Sequence, residues 1–213
     1  VKFSKNKCEI IGNGLHQDYK KKLVLNAGNS GTLGRLILGL LINSNKKIKL
    51  IGDKSLSKRD FSRVIIPLKK FGAKFSRSKN LPLEMKGINS PKPISYLEKK
   101  GSAQCKSTIM LAALKSEGVT TIKAKKSRDH TELMFKHLKI PIIIKKNNKK
   151  FDQIKIYGVK KVSPLNYKIP GDISSCAFFI VLTLLSKNSQ LLIKNININP
   201  TRIGIIKILK MMG

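Results

Sequence analysis

The chain has 213 residues, 41% of them apolar, enough for one large domain or two modest ones with a real core, and this composition excludes a disordered chain. The balance of 44 Lys and Arg against 11 Asp and Glu gives a net charge of +33, which raises nucleic-acid binding as a class. No apolar run reaches the ~18–20 residues a bilayer span needs, and no signal-peptide pattern opens the chain.

In chain order, residues 1–24 read as a strand pair around the turn signal Gly12–Asn13–Gly14. A glycine turn then opens an apolar run, Gly31 before Leu33–Ile42, predicting a helix, and the strand-like stretch Lys47–Ile51 follows. Arg59 opens an amphipathic segment with a helix over Phe61–Phe71, followed by a strand over Ala73–Phe75. The segment LPLEMKGI and the prolines after it, within 81–95, read as an edge strand and loop. Gly101 then restarts the plan: the apolar run in GSAQCKSTIMLAAL, the strand-like Thr120–Ala124, and Arg128 before SRDHTELMFKHLKI. Residues 145–158 read as a polar turn, KKNNKK, between two strands. Val162–Pro170 is extended and bounded by prolines, as a crossing between domains would be. Gly171 starts a third round, with a buried-looking helix through Val181–Leu185, a strand over Gln190–Lys194 and Arg202 before a last helix.

The three glycines stand 70 residues apart. That is too long for a solenoid repeat of ~20–50 residues, and it points to a copied β-α-β-α supersecondary unit. Each turn sets Gly, Ser, Thr or Asp at the mouth of a helix, where such residues cap backbone N–H groups. A helix N-terminus is also a ready anion site, so three mouths and three arginines suit phosphate and carboxylate ligands, while plain capping accounts for any single turn equally well.

The charge is a poor guide to nucleic acid here. Only six of the basic residues are arginines (Arg35, Arg59, Arg63, Arg77, Arg128, Arg202), and the lysines are scattered through every segment. Lys, Asn and Ile are abundant together, as an AT-rich coding sequence produces, and with no Trp base-stacking platforms are scarce. Cys8, Cys105 and Cys176 show no ligand spacing and do not cluster with His16, His130 or His137, so they read as free thiols and no metal site is expected. The chain lacks a leading Met and opens in a strand-like stretch, the reading expected of an internal piece of a longer protein.

Six motifs in order, LNAGNSGTLGR, SLSKRDFSRVIIPLKKFGA, GSAQCKSTIMLAAL, SRDHTE, IPGDISSCAFF and NPTRIG, together closely resemble the EPSP synthase family over essentially all of 24–213. The resemblance implies an α/β (α+β) fold of repeated βαβαββ units about a pseudo-threefold axis, arranged in two domains. It places most of one domain in residues 1–165 and the first part of the other in 166–213, in a chain about half the usual family length. The implied reaction transfers the carboxyvinyl group of phosphoenolpyruvate to the 5-hydroxyl of shikimate 3-phosphate, with no metal or organic cofactor, in a cytoplasmic enzyme that is a monomer when full length. Nucleic acid and membrane are not among its implied partners.

By match to the family's motifs, Gly31 lets phosphoenolpyruvate lie against the backbone and Arg59 binds it through a planar fork suited to carboxylate or phosphate. Ser102, Ala103 and Gln104 correspond to the shikimate-phosphate triplet, and Arg128 to an arginine beside it; the plain alternatives are a solvated Arg59 and an ion pair of Arg128 with Asp129 or Glu132. Arg35, Asp172 and Arg202 fit as structural or supporting residues, and His130 as part of a cap. Leu36 and Asp60 depart from prolines common in relatives. The family's Lys-Ser-Arg cluster is expected before Val1. Its aspartate base and Lys-Glu pair are expected beyond Gly213, so no catalytic residue is assigned in 1–213 and the isolated chain is expected to be inactive. Three alternatives stand beside this reading. They are an enzyme like UDP-N-acetylglucosamine 1-carboxyvinyltransferase, marked by a cysteine in a Gly-rich loop that none of the three cysteines matches; a basic nucleic-acid-binding domain; and a non-catalytic homologue.

Overall fold

The computed structural model describes residues 1–15, 22–76, 78–147 and 150–213, so His16, Arg77 and the tip of the KKNNKK turn lie outside the described residues. Contacts divide the chain into two compact units, Val1–Ser163 and Pro164–Gly213.

The first unit opens on a small hairpin, β1 (Lys2–Ser4) and β2 (Lys7–Glu9), with Phe3 opposite Cys8. Its turn is Lys5–Asn6 and not Gly12–Asn13–Gly14, which lies in open chain after the hairpin. The remainder is one supersecondary plan executed twice. In the first repeat β3 (Leu23–Asn26) leads into α1 (Gly31–Leu40) and returns as β4 (Lys47–Ile51), parallel to β3. A helical turn, α2 (Lys54–Ser57), and α3 (Ser62–Lys70) follow. The strands β5 (Lys74–Phe75) and β6 (Leu83–Lys86) complete a sheet of order β3-β4-β6-β5. In the second, β7 (Ser95–Glu98), α4 (Ala103–Ala113), β8 (Val119–Lys125), α5 (His130–His137), β9 (Ile142–Asn147) and β10 (Phe151–Tyr157) build a sheet of order β7-β8-β10-β9. Both sheets have one parallel pair and two antiparallel pairs in the same positions. Each repeat is therefore a βαβαββ unit.

Two details correct the sequence reading. The strand in LPLEMKGI is not at an edge: β6 lies between β4 and β5. Pro82 stands just outside Leu83–Lys86, so every N–H of the strand is free to pair. The strand β7, which launches the second repeat, carries only two apolar residues among four and left no alternating signal long enough to read.

Alternation along the strands puts Ile48 and Leu50 of β4, Thr120, Ile122 and Ala124 of β8, and Ile154 and Ile156 of β10 inside. They join Phe61, Val64, Leu68 and Phe71 around α3 and Ile109 and Met110 of α4 in a single core shared by both repeats. The helix α4 is buried nearly all round, which is why its sequence is apolar without an amphipathic stripe. It meets α1 so closely that a Cβ on Gly39 would strike the Thr108 carbonyl.

The second unit contains α6 (Ile173–Leu185) and α7 (Gly204–Met211). Gln190–Lys194 is not a strand: among the described residues this region makes one isolated bridge, Gly171 with Ile196, and a strand exists only through a partner. The apolar run of α6 is helical as expected but not buried, with Phe178 and Leu185 each 80% exposed.

Candidate functional site

The site forms where β3 and β7 hand the chain to α1 and α4. At each handover a side chain at the strand end fixes the turn. Asn26 accepts the Gly28 N–H at 2.9 Å, and the buried Glu98 accepts the N–H groups of Lys100 and Ser102, both at 3.0 Å. Ser30 and Ser102 then cap the helices, accepting from Leu33 and Cys105 at 3.1 and 3.2 Å. In the second unit Asp172 caps α6 through the Ser174 N–H at 3.0 Å. All three expected helix mouths are present.

The packing of α1 on α4 brings the first two mouths together, and Gln104 joins them. Its Oε1 accepts from Arg35 Nη1 and its Nε2 donates to Thr32 Oγ1, both at 2.8 Å. Arg35 lies over the Phe61 ring, 5.2 Å from its centroid. Gly31 is the floor beneath the arginines: a Cβ there would stand 2.9 Å from Arg35 Nη1 and 3.2 Å from Arg59 Nη1. Two guanidinium groups thus converge on one bare stretch of backbone at a helix N-terminus, a positive concentration that an anion relieves.

A cleft of about 600 Å³ opens here, lined among others by Arg35, Arg59, Arg63, Lys100, Ser102 and Gln104. Burial lowers the Arg35 pKa, and the neighbouring charges of Arg59 and Arg63 lower it further against a small opposing pull from Asp60. At such basicity the group stays charged, so the shift is a measure of crowded positive charge. Asp60 makes no ion pair within 4.0 Å among the described residues. Its carboxyl is held below the usual carboxylate range chiefly by hydrogen bonds from the Ser62 hydroxyl and N–H, then by Lys79 and Arg63.

A second pocket of about 180 Å³ adjoins this cleft, lined by Thr32, Ala103, Gln104, Ser107, Arg128 and His130 among others. Of the residues singled out in the sequence, Arg59, Ser102 and Gln104 therefore share the larger cleft and Ala103 and Arg128 the smaller, with Gln104 in both. Ser102 Oγ serves the cap as an acceptor, a role that does not use its hydroxyl proton. Glu132 is not the partner of Arg128: it pairs with Lys106, Nζ to Oε1 at 2.5 Å. In the second unit Arg202 lies 3.8 Å from Asp172.

Sequence reasoning missed three contributors. Arg35 was expected only as support, yet it walls the cleft. Arg63 lies in the first turn of α3, four residues after Arg59, which stands before that helix, and this closeness in sequence was the available signal. Glu98 left no signal, because an acid next to two lysines reads as surface. Cys105, whose thiol burial and then Glu98 push up to about 12, donates to the Arg63 carbonyl at 2.9 Å and is a packing residue rather than a nucleophile.

Two matched βαβαββ units with adjoining helix mouths define an α/β repeat protein with a cleft lined by converging arginines. The family model for EPSP synthase (3-phosphoshikimate 1-carboxyvinyltransferase) matches residues 1–213, and the chain belongs to this family. Among curated proteins it is similar to the 3-phosphoshikimate 1-carboxyvinyltransferases of Caldicellulosiruptor bescii and Petrotoga mobilis. The first is 42% identical over all of this chain and 49% of the relative, the second 43% identical over 99% and 49%. Among solved structures it is similar to EPSP synthase from Acinetobacter baumannii, of the two-domain enolpyruvyl transferase fold. There the TM-score is 0.77 at 36% identity, covering 90% of this chain and 43% of the other. The chain spans about half the length of the curated relatives it matches. Among the described residues no helix is long and apolar enough to cross a membrane.

Proposed function

We propose that this chain belongs to an enzyme that joins the 5-hydroxyl oxygen of shikimate 3-phosphate to C2 of phosphoenolpyruvate and releases inorganic phosphate. The C–O bond forms by addition across the C2–C3 double bond, with C3 taking a proton that it gives up again in the elimination. The C2–O bond to phosphate then breaks by elimination, and the hydroxyl proton leaves, in sum, with the phosphate. The observation that carries the reading is the convergence of Arg35 and Arg59 over Gly31, beside a second helix mouth at Ser102–Gln104.

On this reading Arg59, with Arg35 and Arg63 behind it, holds the carboxylate and phosphate of phosphoenolpyruvate against the α1 N-terminus. Ser102, Ala103, Gln104 and Arg128 take the phosphate of shikimate 3-phosphate. Both ligands are polyanions, so fixed charge in place before reaction supplies much of the stabilisation. Gln104, already bridging the two mouths, sits where the ligands meet. No residue of 1–213 is assigned the proton transfers. Residues 1–165 form most of one domain and 166–213 the start of the other, of a cytoplasmic, monomeric enzyme working without a cofactor and without nucleic acid.

A titration with shikimate 3-phosphate beside a coupled phosphate-release assay tests this. Saturable binding, with turnover of the chain alone far below the ordinary ~1–10³ per second, is expected. Absence of binding contradicts the site, and turnover in the ordinary range shows that the catalytic groups lie within 1–213 after all.

A further inference from the structure

We infer that Lys106 and Glu132 form a positioning clamp that sets where Arg128 stands, and so governs how tightly the phosphate side of the cleft holds its ligand; this rests on the role proposed for Arg128. The motifs SAQCKS and SRDHTE carry charged residues that take no place in the cleft wall, and in the structure two of them, Lys106 and Glu132, find each other. Lys106, in the first turns of α4, and Glu132, in the first turn of α5, have side chains only 4% exposed. The ammonium pairs with Glu132 Oε1 at 2.5 Å and donates to the backbone carbonyl of Arg128 at 2.9 Å. One buried cation thus grips the segment on both sides of the helix start, at residue 128 before it and residue 132 within it. Next to the clamp, the hydroxyls of Ser107 and Thr131 share a hydrogen bond of 2.6 Å. The outcome is a fixed distance between the α4 mouth, with Ala103 and Gln104, and Arg128, whose side chain lines the same small pocket.

Stability is a poor reason for this arrangement. A buried ion pair generally does no better than apolar residues of the same size. Here the second carboxylate oxygen, Glu132 Oε2, is also buried without a hydrogen-bond partner among the described residues. What the pair does that apolar side chains cannot is bind the Arg128 carbonyl.

The test is the exchange of both charges at once, Lys106→Met with Glu132→Leu, in the full chain. This leaves no lone buried charge, and the melting temperature is expected to stay within a few degrees of the parent. Affinity for shikimate 3-phosphate is expected to fall about tenfold, the scale of one charge-assisted hydrogen bond, and by much less in a chain that already carries Arg128→Ala. An equal fall with and without Arg128, or no fall at all, overturns the clamp. Should the parent itself fail to bind shikimate 3-phosphate, the functional reading fails instead, and amide hydrogen exchange of residues 128–132 decides the clamp: faster exchange in the double variant upholds it and unchanged exchange refutes it. Should the double variant not fold, Glu132→Gln, which keeps an acceptor for Lys106, must hold ligand affinity within about threefold of the parent while Glu132→Leu alone loses it, and any other pattern refutes the clamp.

Discussion

Residues 23–86 and 95–157 follow the same path strand for strand, and they bring different chemistry to the cleft they share. The first repeat supplies charge: Arg35, Arg59 and Arg63, gathered over a helix mouth left bare by Gly31. The second supplies mainly polar groups, with Lys100 among its charges there: a capped mouth at Ser102 and the bridging Gln104, and Arg128 lines the adjoining pocket with its carbonyl bound by Lys106. Even the equivalent residues that fix the two turns differ in kind, an exposed amide at Asn26 with one bond and a buried carboxylate at Glu98 with two. A duplicated fold sets where a mouth lies, and the residues in its first turn set what it can hold.

The sharpest way to break this pairing is to force the repeats apart. Gly39→Ala sets a methyl against the Thr108 carbonyl, which is backbone and cannot step aside, and is expected to destabilise by about 3 kcal/mol or more. Gly34→Ala, in the same helix, meets the Phe61 ring at 3.4 Å and Ala27 Cβ at 3.6 Å, both side chains at ordinary contact, and gains helix propensity, so its effect is expected within about 1 kcal/mol. Urea unfolding of the two variants makes the comparison directly.

The two turn-fixing residues are next. Glu98→Ala removes two part-buried hydrogen bonds to a carboxylate and is expected to cost about 3 kcal/mol, whereas Asn26→Ala removes one exposed bond and is expected to cost about 1 kcal/mol. Thermal melts separate these outcomes, and equal losses would show that the repeats are alike in energy as well as in path.

A smaller effect, confined to ligand, is expected from Gly31→Ala. The atoms it meets are the far ends of Arg35 and Arg59, which can move, so the fold is expected to survive. Displacing them should weaken phosphoenolpyruvate about tenfold while leaving shikimate 3-phosphate within about threefold, as paired calorimetric titrations would show.

The smallest expected effect is a pH slope at the far end of the same two helices. Lys115 donates to the Leu40 carbonyl and to Asn43 Oδ1 at 2.6 Å, tying α4 to α1, and burial lowers its pKa to about 8. A lysine with a folded value below its unfolded ~10.4 makes the unfolded state the better proton binder, so stability rises with pH from about 8 toward 10. The Cys105 thiol, at about 12 when folded, acts oppositely once pH passes the ordinary thiol value of ~8.5. The Lys115 gain is therefore clearest near pH 8 to 9, and Lys115→Met should flatten it in unfolding curves taken across that window.

The repeat was legible in the sequence, but for a reason that conflated different glycines. Gly31 is the first residue of its helix, whereas Gly101 sits before the Ser102 cap at a φ of +69° that favours glycine. Measured by their caps, 72 residues separate Ser30 from Ser102 and 70 separate Ser102 from Asp172. Helices and the long strands β4 and β8 were legible because their periodicity runs long enough to count. The strand at 190–194 failed because local apolarity says nothing about whether a partner strand is at hand. Within the site, Gly31 and Ser102 stood out through glycine and cap chemistry, whereas Arg59, Ala103, Gln104 and Arg128 stood out only through their match to the family's motifs. Glu98, Lys106 and Glu132 did not, since charged residues are read as solvent-facing until a fold shows them buried and paired.

The central claim, that one cleft is assembled from the mouths of two unlike repeats, is most directly tested by amide chemical-shift mapping of the chain during titration with shikimate 3-phosphate. The account predicts saturable shifts concentrated at Ser102–Gln104, Thr32 and Arg128, with little change along the scattered surface lysines. Shifts spread over those lysines and absent from the two helix mouths would contradict it.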